Sequence, residues 1–506
     1  MSNFKISTLR TGDIIRPRRG VITFGFVKGN NQISNTTQQN IRYIFKSLIE
    51  PFVNVRFVEK RNGDSDINFQ LHNYPNFYAY ELEHDVYLRR SNDNSVGVNA
   101  FQGGVGSYGF ETLIHETLHA LGLKHPGNYN GDGPGRGPFL PYSLDNNSNT
   151  LMSYNTGGKN AGSPMSFDIS ALQAIYGEGK LNRGNTTYRF GSIHSFSDGR
   201  RSWGTASVQS KLTLLDDGGS DMTDFTGLGY SASGYVLDAR EGGIFTTGAA
   251  YNSASYRPRD ANRQNTPLQQ TTSYGTWLAA DTEIEKITGS RSNDFIYAGK
   301  KTQRIDGYGG DDYIVGNDGS EILWGNMGKD EIYGGKGKDQ LIGGSGGRRE
   351  SDPGSRDLLY GGEGKDTLYG EGGNDALYGQ EGDDIIYGGS GNDYIAGTSE
   401  KRTRDGKARP RGDRDKLYGG DGRDYFVLGE KQGAFYRGSG YAIIKDWESG
   451  FDKLQLGRGG GRYTFDSKRM LGGRSLDGVV YHNKDLIGVV EDIGNSGLSQ
   501  SDFVLA

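Results

Sequence analysis

Three of the seven histidines lie close together in the segment HETLHALGLKH, which runs from His115 to His125. On a helix, residues four positions apart share a face, so His115 and His119 can bind one metal ion together. Gly122 ends the helix, because glycine enters left-handed conformations at low cost, and the turn returns His125 as a third ligand. Three imidazoles leave one coordination position open, which is typical of a catalytic zinc site rather than a structural one.

The positions around these histidines supply the other groups that hydrolysis needs. Glu116 lies on an adjacent face of the helix and could act as a general base on a water at the metal. Further along, Met152 would form a hydrophobic floor under the zinc, and the phenol of Tyr154 could reach the zinc or a developing oxyanion. The alternatives are an ordinary core methionine and an amphipathic helix with incidental histidines, whose apolar stripe is Phe110, Ile114, Leu118 and Leu121.

The residues that must position this motif indicate a mixed domain over residues 1–178. Strand-like and helix-like patterns alternate there, which is typical of a twisted sheet with helices packed on it. The sequence therefore predicts an α+β domain, with strands at 21–27, 53–58 and 67–71 and helices at 37–49, 110–121 and 166–176.

A second pattern, towards the C-terminus, is a repeat of nine residues. Glycine is abundant, at 83 of 506 residues, which is more than twice the usual share of roughly 7%. Between Gly289 and Leu428 a carboxylate follows nearly every repeat glycine by five residues, and an aliphatic or aromatic residue comes two later. This spacing is the G-G-x-G-x-D-x-U-x nonapeptide, and it predicts a parallel β-roll whose apolar side chains point inward.

The aspartates of the repeat predict calcium sites. A row of closely spaced carboxylates repels itself, and carboxylate and glycine carbonyl oxygens are ligands that Ca²⁺ prefers. One apolar residue per repeat does not offset the entropy of ordering the repeat, so we expect the segment to fold with calcium. The alternative is a disordered low-complexity segment. The predicted calcium ligands are Asp294, Asp312, Asp330, Asp339, Asp357, Asp366, Asp375, Asp384, Asp393, Asp415 and Asp424.

Composition excludes several classes of protein. The chain has no cysteine, so neither a disulfide framework nor a Cys-ligated zinc can form. It has no apolar run of the length that a transmembrane helix needs, and its first residues lack the apolar region of a secretory signal peptide. The net charge of −5 gives no reason to expect nucleic acid as a partner.

The histidine motif with Pro126, Met152 and Tyr154, together with the nonapeptides, resembles the serralysin family, the calcium-requiring bacterial branch of the metzincin zinc proteases. The likeness extends over nearly the whole chain. It includes the helix at 166–177 and the stretches Asp238–Gly242 and Tyr274–Thr276, which resemble the family's link from protease to repeats.

This resemblance implies an α+β metzincin-like protease domain followed by an all-β domain with a parallel β-roll and β-sandwich. We expect a zinc metalloprotease domain at 1–178, a linker with the β-rich start of the C-terminal domain at 179–288, the roll at 289–428, and a C-terminal β region at 429–506. The last residues resemble the uncleaved signal of type I secretion, which would also account for the missing N-terminal signal peptide.

The sequence thus predicts a secreted, extracellular zinc endopeptidase, monomeric, with one catalytic zinc and several structural calcium ions. Its partners would be protein or peptide substrates and the type I secretion apparatus. We expect the substrate to add to an edge strand at 96–101. The alternative is a calcium-dependent surface or matrix adhesion protein with a vestigial protease domain, since the repeats alone would suit that function equally well.

Overall fold

The computed structural model describes residues 9–506 except 11–13, 62–63, 76–77, 91–92, 94–99, 128, 130–138, 180–183, 217, 259–266, 345–354, 399–411, 432, 437, 460, 473–474 and 495–496. The chain forms two compact units: Met1–Leu228 with Glu241–Glu283, and Gly229–Arg240 with Ile284–Ala506. The predicted division into four parts at 178, 288 and 428 stays a prediction. Within the described ranges, no helix has both the length and the apolar character needed to cross a membrane.

The first unit contains a five-stranded sheet. Its strands are β1 (Val21–Phe26), β2 (Arg56–Lys60), β3 (Ile67–His72), β4 (Ala79–Leu82) and β5 (Asp85–Arg89). Their order is β2-β1-β3-β5-β4, and only the β4–β5 pair is antiparallel among these strands. The predicted edge strand at 96–101 falls largely outside the described residues, and Ala100–Gln102 is a 3-10 turn. The edge of this sheet nearest the histidine helix is β4.

Three α-helices belong to the same unit: α1 (Asn35–Tyr43), α2 (Tyr108–Ala120) and α3 (Ser166–Tyr176). The last two lie where the sequence predicts helices. The predicted helix at 37–49 begins earlier and changes to a π-helix at Ile44–Ile49. This segment covers the sheet, because the Phe45 ring lies 4.5 Å from that of Phe24 and 4.7 Å from that of Phe57.

The remaining strands are short, and all but β11 of those before residue 284 belong to the first unit. They are β6 (Thr187–Ser192), β7 (Ser195–Ser197), β8 (Ser202–Gly204), β9 (Lys211–Leu214), β10 (Met222–Asp224), β11 (Tyr235–Asp238), β12 (Ile244–Thr247), β13 (Ala254–Tyr256), β14 (Gln269–Thr271), β15 (Gly275–Leu278), β16 (Lys286–Thr288), β17 (Asp294–Tyr297), β18 (Arg304–Asp306), β19 (Tyr313–Val315), β20 (Ile322–Trp324), β21 (Glu331–Gly337), β22 (Gln340–Ile342), β23 (Leu358–Gly364), β24 (Thr367–Gly372), β25 (Ala376–Glu381), β26 (Ile385–Ser390), β27 (Tyr394–Ala396), β28 (Arg414–Asp421), β29 (Tyr425–Val427), β30 (Gly429–Glu430), β31 (Gly433–Ala434), β32 (Tyr441–Ile444), β33 (Lys453–Leu456), β34 (Tyr463–Lys468), β35 (Asp477–His482), β36 (Asp485–Val490) and β37 (Phe503–Leu505).

In the second unit, consecutive strands from β16 to β29 alternate between two parallel sheets. Each strand pairs with the strand two further along, as Ile314 pairs with Ile332 and Ile305 with Leu323. The middle residue of each repeat strand is fully buried, so the apolar side chains fill the space between the sheets. The predicted parallel sheets, consistent with a β-roll, are confirmed.

Candidate metal centres

The residues at the two ends of helix α2 explain where it begins and ends. The Ser107 hydroxyl accepts the Phe110 N–H at 3.2 Å and caps the first turn. At the other end, Gly122 adopts a φ of 93°, a conformation that glycine reaches at low cost, and its N–H donates to the His119 carbonyl at 2.8 Å. The chain then reverses, and this reversal returns His125 to the helix.

The structure brings the three predicted zinc ligands together. The Nε2 atom of His125 lies 3.1 Å from Nε2 of His115 and 3.0 Å from Nε2 of His119. A tetrahedral zinc with Zn–N bonds of about 2.0–2.1 Å holds its ligand nitrogens about 3.3 Å apart. The three nitrogens therefore lie at nearly the spacing that one zinc ion needs.

Backbone carbonyls orient two of these rings. The Nδ1 of His115 lies 3.0 Å from the Leu151 carbonyl oxygen, and the Nδ1 of His119 lies 2.8 Å from that of Leu123. A carbonyl oxygen only accepts, so each Nδ1 carries the proton and each Nε2 presents a lone pair to the common point. These contacts select the tautomer that binds a metal.

Burial keeps all three imidazoles neutral. It lowers the pKa of His115 to about 3 and that of His119 to about 4. The pKa of His125 falls to about 2, because burial is reinforced by the neighbouring His119 and His115. Metal ligands must be unprotonated, so the donor set fits a divalent cation over the neutral pH range.

Glu116 is buried beside this cluster, with 7% of its surface exposed. Burial, and after it the negative charge of Glu81, raises the pKa of Glu116 to about 8. A cation among the imidazoles would favour the ionised carboxylate, which is the form that a general base requires. The catalytic role of Glu116 stays a prediction.

The two residues predicted downstream lie at the same centre. The ring of Tyr154 lies 4.2 Å from that of His125 and 5.8 Å from that of His115, centroid to centroid. Met152 is fully buried, and its N–H donates to the Thr150 hydroxyl. The turn that holds Met152 also supplies the Leu151 carbonyl to His115, so this turn supports the centre. The predicted roles of both residues remain to be tested.

Sequence reasoning missed a polar cluster around Asp145. Its Oδ1 accepts the Ser153 hydroxyl at 2.7 Å and also the Tyr129 hydroxyl. The Tyr129 ring lies 5.0 Å from that of Tyr154 and 5.9 Å from that of His125. Burial, and after it the charge of Asp145, raises the pKa of Tyr129 above its usual range. This cluster fixes Tyr129 against the histidines as a neutral phenol.

Asp168 was also missed, although its position near the start of α3 is a capping signal. It is fully buried and accepts the Thr150 hydroxyl at 2.5 Å, the Leu151 N–H at 2.7 Å and the Met165 N–H at 2.9 Å. Asp168 thereby joins the start of α3 to the turn that contains Met152.

A buried lysine, Lys211 of β9, contacts the segment between α2 and α3. Its ammonium donates to the Asn147 Oδ1 at 2.5 Å and to the Gly157 carbonyl. Glu111 of α2 accepts the Ala161 N–H at 2.9 Å, and its charge favours the protonated lysine. Nonetheless burial lowers the pKa of Lys211 to about 7. The network links α2, the segment after it and β9.

The eleven predicted calcium ligands are all buried in the second unit. The N–H of one aspartate donates to Oδ1 of an aspartate in the next turn at 2.8–3.1 Å, as Asp312 does to Asp330 and Asp339 to Asp366. Two members differ: Asp294 accepts both the N–H and the hydroxyl of Ser290, and Asp415 accepts the Tyr436 hydroxyl.

We call this series of linked aspartates the aspartate ladder. The second carboxylate oxygen of its members, Oδ2, is suited to bind a cation. Among the described residues, Oδ2 is buried without a hydrogen-bond partner at Asp312, Asp339, Asp366, Asp384, Asp393 and Asp424. Burial, and after it the neighbouring carboxylates, raises the pKa of Asp312 to about 10 and that of Asp384 to about 9. Buried acceptors without donors, in rows of like charge, match the oxygen chemistry of Ca²⁺.

The repeat glycines are required by this ladder. A Cβ on Gly361 would lie 2.6 Å from Oδ2 of Asp366 and 2.7 Å from the Gly379 carbonyl oxygen. The same conflict occurs at Gly379, where a Cβ would lie 2.3 Å from Oδ2 of Asp384. Glycine recurs with the aspartate because a side chain at its position would displace the carboxylate.

A known repeat family matches the C-terminal part of the chain. The RTX calcium-binding nonapeptide repeat matches residues 281–314, 302–331, 315–347, 354–377, 360–395 and 411–430. The second unit therefore carries RTX repeats, and the sequence prediction of these repeats is confirmed.

The relatives include serralysins and metalloprotease AprA, so the predicted resemblance to the serralysin family is also confirmed. Serralysin C of Dickeya chrysanthemi is 40% identical over 133 residues, which are 24% of this chain and 27% of that protein. Metalloprotease AprA of Pseudomonas entomophila is 38% identical over 140 residues, 24% of this chain and 28% of its own. Serralysin of Proteus mirabilis is 31% identical over 236 residues, 44% of this chain and 42% of its own.

These matches span between about a quarter and two fifths of the relatives' length. Among solved structures, myroilysin aligns with 33% of this chain and 98% of its own, at 15% identity and a TM-score of 0.23.

Proposed function

We propose that the protein is a secreted, zinc-dependent endopeptidase that hydrolyses peptide bonds of extracellular proteins and is stabilised by calcium. One observation carries the proposal: the Nε2 atoms of His115, His119 and His125 converge at zinc-binding distances, with the buried carboxylate of Glu116 beside them. The resemblance to serralysins and to metalloprotease AprA supports it independently.

His115, His119 and His125 would hold the metal. A bound zinc would polarise a substrate carbonyl and bring the pKa of a water towards about 7. Glu116 accepts a proton from the attacking water and returns it to the leaving amine. Its burial strengthens this transfer, because few solvent molecules compete for the carboxylate.

Tyr154 is the residue best placed to assist the oxyanion. Its ring packs on His125, and the Tyr129 ring stacks on its far side at 5.0 Å. This packing limits the motion of the phenol, and a pre-positioned donor is worth more than a mobile one when negative charge develops on the carbonyl oxygen.

Calcium would act on the second unit. The aspartate ladder would hold several ions between the turns of the roll, where a cation removes the repulsion among carboxylates. The RTX match supports calcium binding. Export by a type I secretion apparatus, action outside the cell and a monomeric state complete the proposal, on the strength of the serralysin resemblance.

A chelator experiment tests this function. Purified protein in millimolar calcium is incubated with casein, with or without 1,10-phenanthroline, which binds zinc in preference to calcium. We expect digestion that stops with the chelator and resumes with added zinc; the non-chelating 1,7 isomer is the control. Calcium-dependent binding to surfaces without any digestion would instead support the adhesion hypothesis.

A further inference from the structure

The hairpin of β4 and β5 is anchored to the end of the histidine helix. Its turn contains Glu83 and His84, both with positive φ. The His84 ring, through Nδ1, lies 3.0 Å from the carbonyl oxygen of Ala120, the last residue of α2. Glu81 of β4 accepts the His84 N–H at 2.6 Å. The edge strand and the helix that carries His115 and His119 are thus held together.

The register of the sheet shows which way Glu81 points. Glu81 pairs with Val86 of β5, and Val86 pairs with Phe69 of β3. Directly paired residues share a face of a sheet, and both Val86 and Phe69 are fully buried. Glu81 therefore points to the helix-covered face. Tyr80 and its partner Tyr87 stack at 4.8 Å on the opposite face.

Glu81 places negative charge beside the candidate site. It is half-buried, and no lysine or arginine forms an ion pair with it in the part of the chain that the structure describes. A peptide bound along β4 would meet this carboxylate, whose field favours cationic side chains.

We propose that Glu81 determines substrate specificity, by selecting peptides that carry a lysine or arginine opposite it on β4. The inference rests on the proposed endopeptidase function and on binding of an extended peptide along β4. An edge strand offers main-chain hydrogen bonds to such a peptide, and the Cβ atoms of residues directly opposite each other across two strands lie about 4.5–5.5 Å apart. A cation in that position pairs with Glu81.

Matched peptides test the inference in the full-length protein loaded with calcium and zinc. The peptides differ only in having Lys, Gln or Glu, placed in turn at each position flanking the cleaved bond. For one position we expect kcat/KM to be about tenfold higher for Lys than for Gln, as a partly desolvated charge pair would give. Glu81→Gln should bring this ratio to about one, and Glu81→Lys should favour Glu over Lys.

The matched control is Glu83→Gln, which removes an equal charge at the exposed tip of the same hairpin and should keep the wild-type ratio. Because the readout is a ratio within each variant, a general loss of activity does not affect it. Cleavage without any charge preference, or a preference that Glu81→Gln preserves, would overturn the inference and leave the endopeptidase function intact. Absence of cleavage of every peptide by the wild type would overturn both.

Discussion

Glu116 is the side chain on which the proposed chemistry depends most. It follows a metal ligand directly in sequence, it is buried, and its carboxylate has a raised pKa because burial disfavours the charged form. Its amide analogue has nearly the same size but cannot take a proton from water.

Glu116→Gln should therefore bind zinc as the wild type does and lose activity by about 10²–10⁴-fold, the usual contribution of a general base. Metal content by mass spectrometry and kcat on a peptide substrate are measured on the same sample. A zinc-loaded variant with wild-type kcat would exclude Glu116 as the base.

Lys211 and Glu111 interact electrostatically, because each is buried near the other's charge. Without the Lys211 ammonium, the Asn147 Oδ1 and the Gly157 carbonyl oxygen lose a buried hydrogen-bond donor, which costs about 1–3 kcal/mol. Lys211→Met should destabilise the first unit by roughly this amount, and adding Glu111→Gln should restore part of it. Thermal unfolding of the single and double variants measures the coupling; simple additivity would contradict it.

The same lysine predicts a pH dependence. Its folded pKa of about 7 lies below its unfolded value of about 10.4, so the unfolded chain binds more protons between these values. Stability should therefore rise with pH through this window. The melting temperature of the wild type should increase relative to that of Lys211→Met from pH 7 to 9. A difference that does not change with pH would show that Lys211 titrates normally.

At the scale of elements, the roll depends on glycine and aspartate acting together. Gly361→Ala would place a Cβ 2.6 Å from Oδ2 of Asp366, so the turn or the carboxylate must move, at a cost of about 1–3 kcal/mol. The matched control is Gly309→Ala, where a Cβ would meet Met327 at an ordinary 3.5 Å.

We expect Gly361→Ala to raise the calcium concentration at the midpoint of folding, as followed by circular dichroism, and Gly309→Ala to change it little. Equal midpoints for the two variants would contradict the proposed coupling of glycine and carboxylate.

Many of the helices and strands could be predicted from the sequence, because local patterns determine them. The bounds of α3 and the alternation of the repeat strands follow from periodicity and turn residues. The π-helix at Ile44–Ile49 could not be predicted, since Phe45 packs between residues of two strands. The predicted strand at 53–58 begins only at Arg56, because Glu50–Phe52, which contains Pro51, forms a 3-10 turn.

The candidate zinc ligands were predictable for a similar reason: helical spacing and one glycine bring them together. Asp145 and Lys211 were not, because their roles arise from contacts between distant parts of the chain. Lys211 meets Asn147 across 64 residues, and no local pattern in KLTL shows that its ammonium is buried.

At the scale of the whole molecule, we expect the folding of the second unit to depend on calcium. Its ladder contains buried carboxylates whose pKa values are raised by burial and by one another, so an ionised ladder without cations is costly. Removing calcium with EGTA at pH 8 should abolish most of the β-sheet circular dichroism of residues 284–506. A spectrum that chelation leaves unchanged would show that the roll folds without metal.

Long-range contacts also determine which residues belong to the first unit. Tyr256 bonds Asn146, and Thr271 bonds Ser148, so the strands after residue 187 hold the segment that precedes Met152. These contacts explain why the first unit continues to Glu283. They join the helical part of that unit to its β-rich part.

The central claim is that three imidazoles hold one zinc ion at a hydrolytic site. Metal content and peptide hydrolysis should be measured together on the wild type and on His119→Ala, with His194→Gln as the control, since the His194 ring contacts the Thr205 carbonyl oxygen and is not part of the metal cluster. We predict about one zinc per chain with hydrolysis in the wild type and the control, and loss of both in His119→Ala. Stoichiometric zinc in His119→Ala, or undiminished hydrolysis without zinc, would contradict the account.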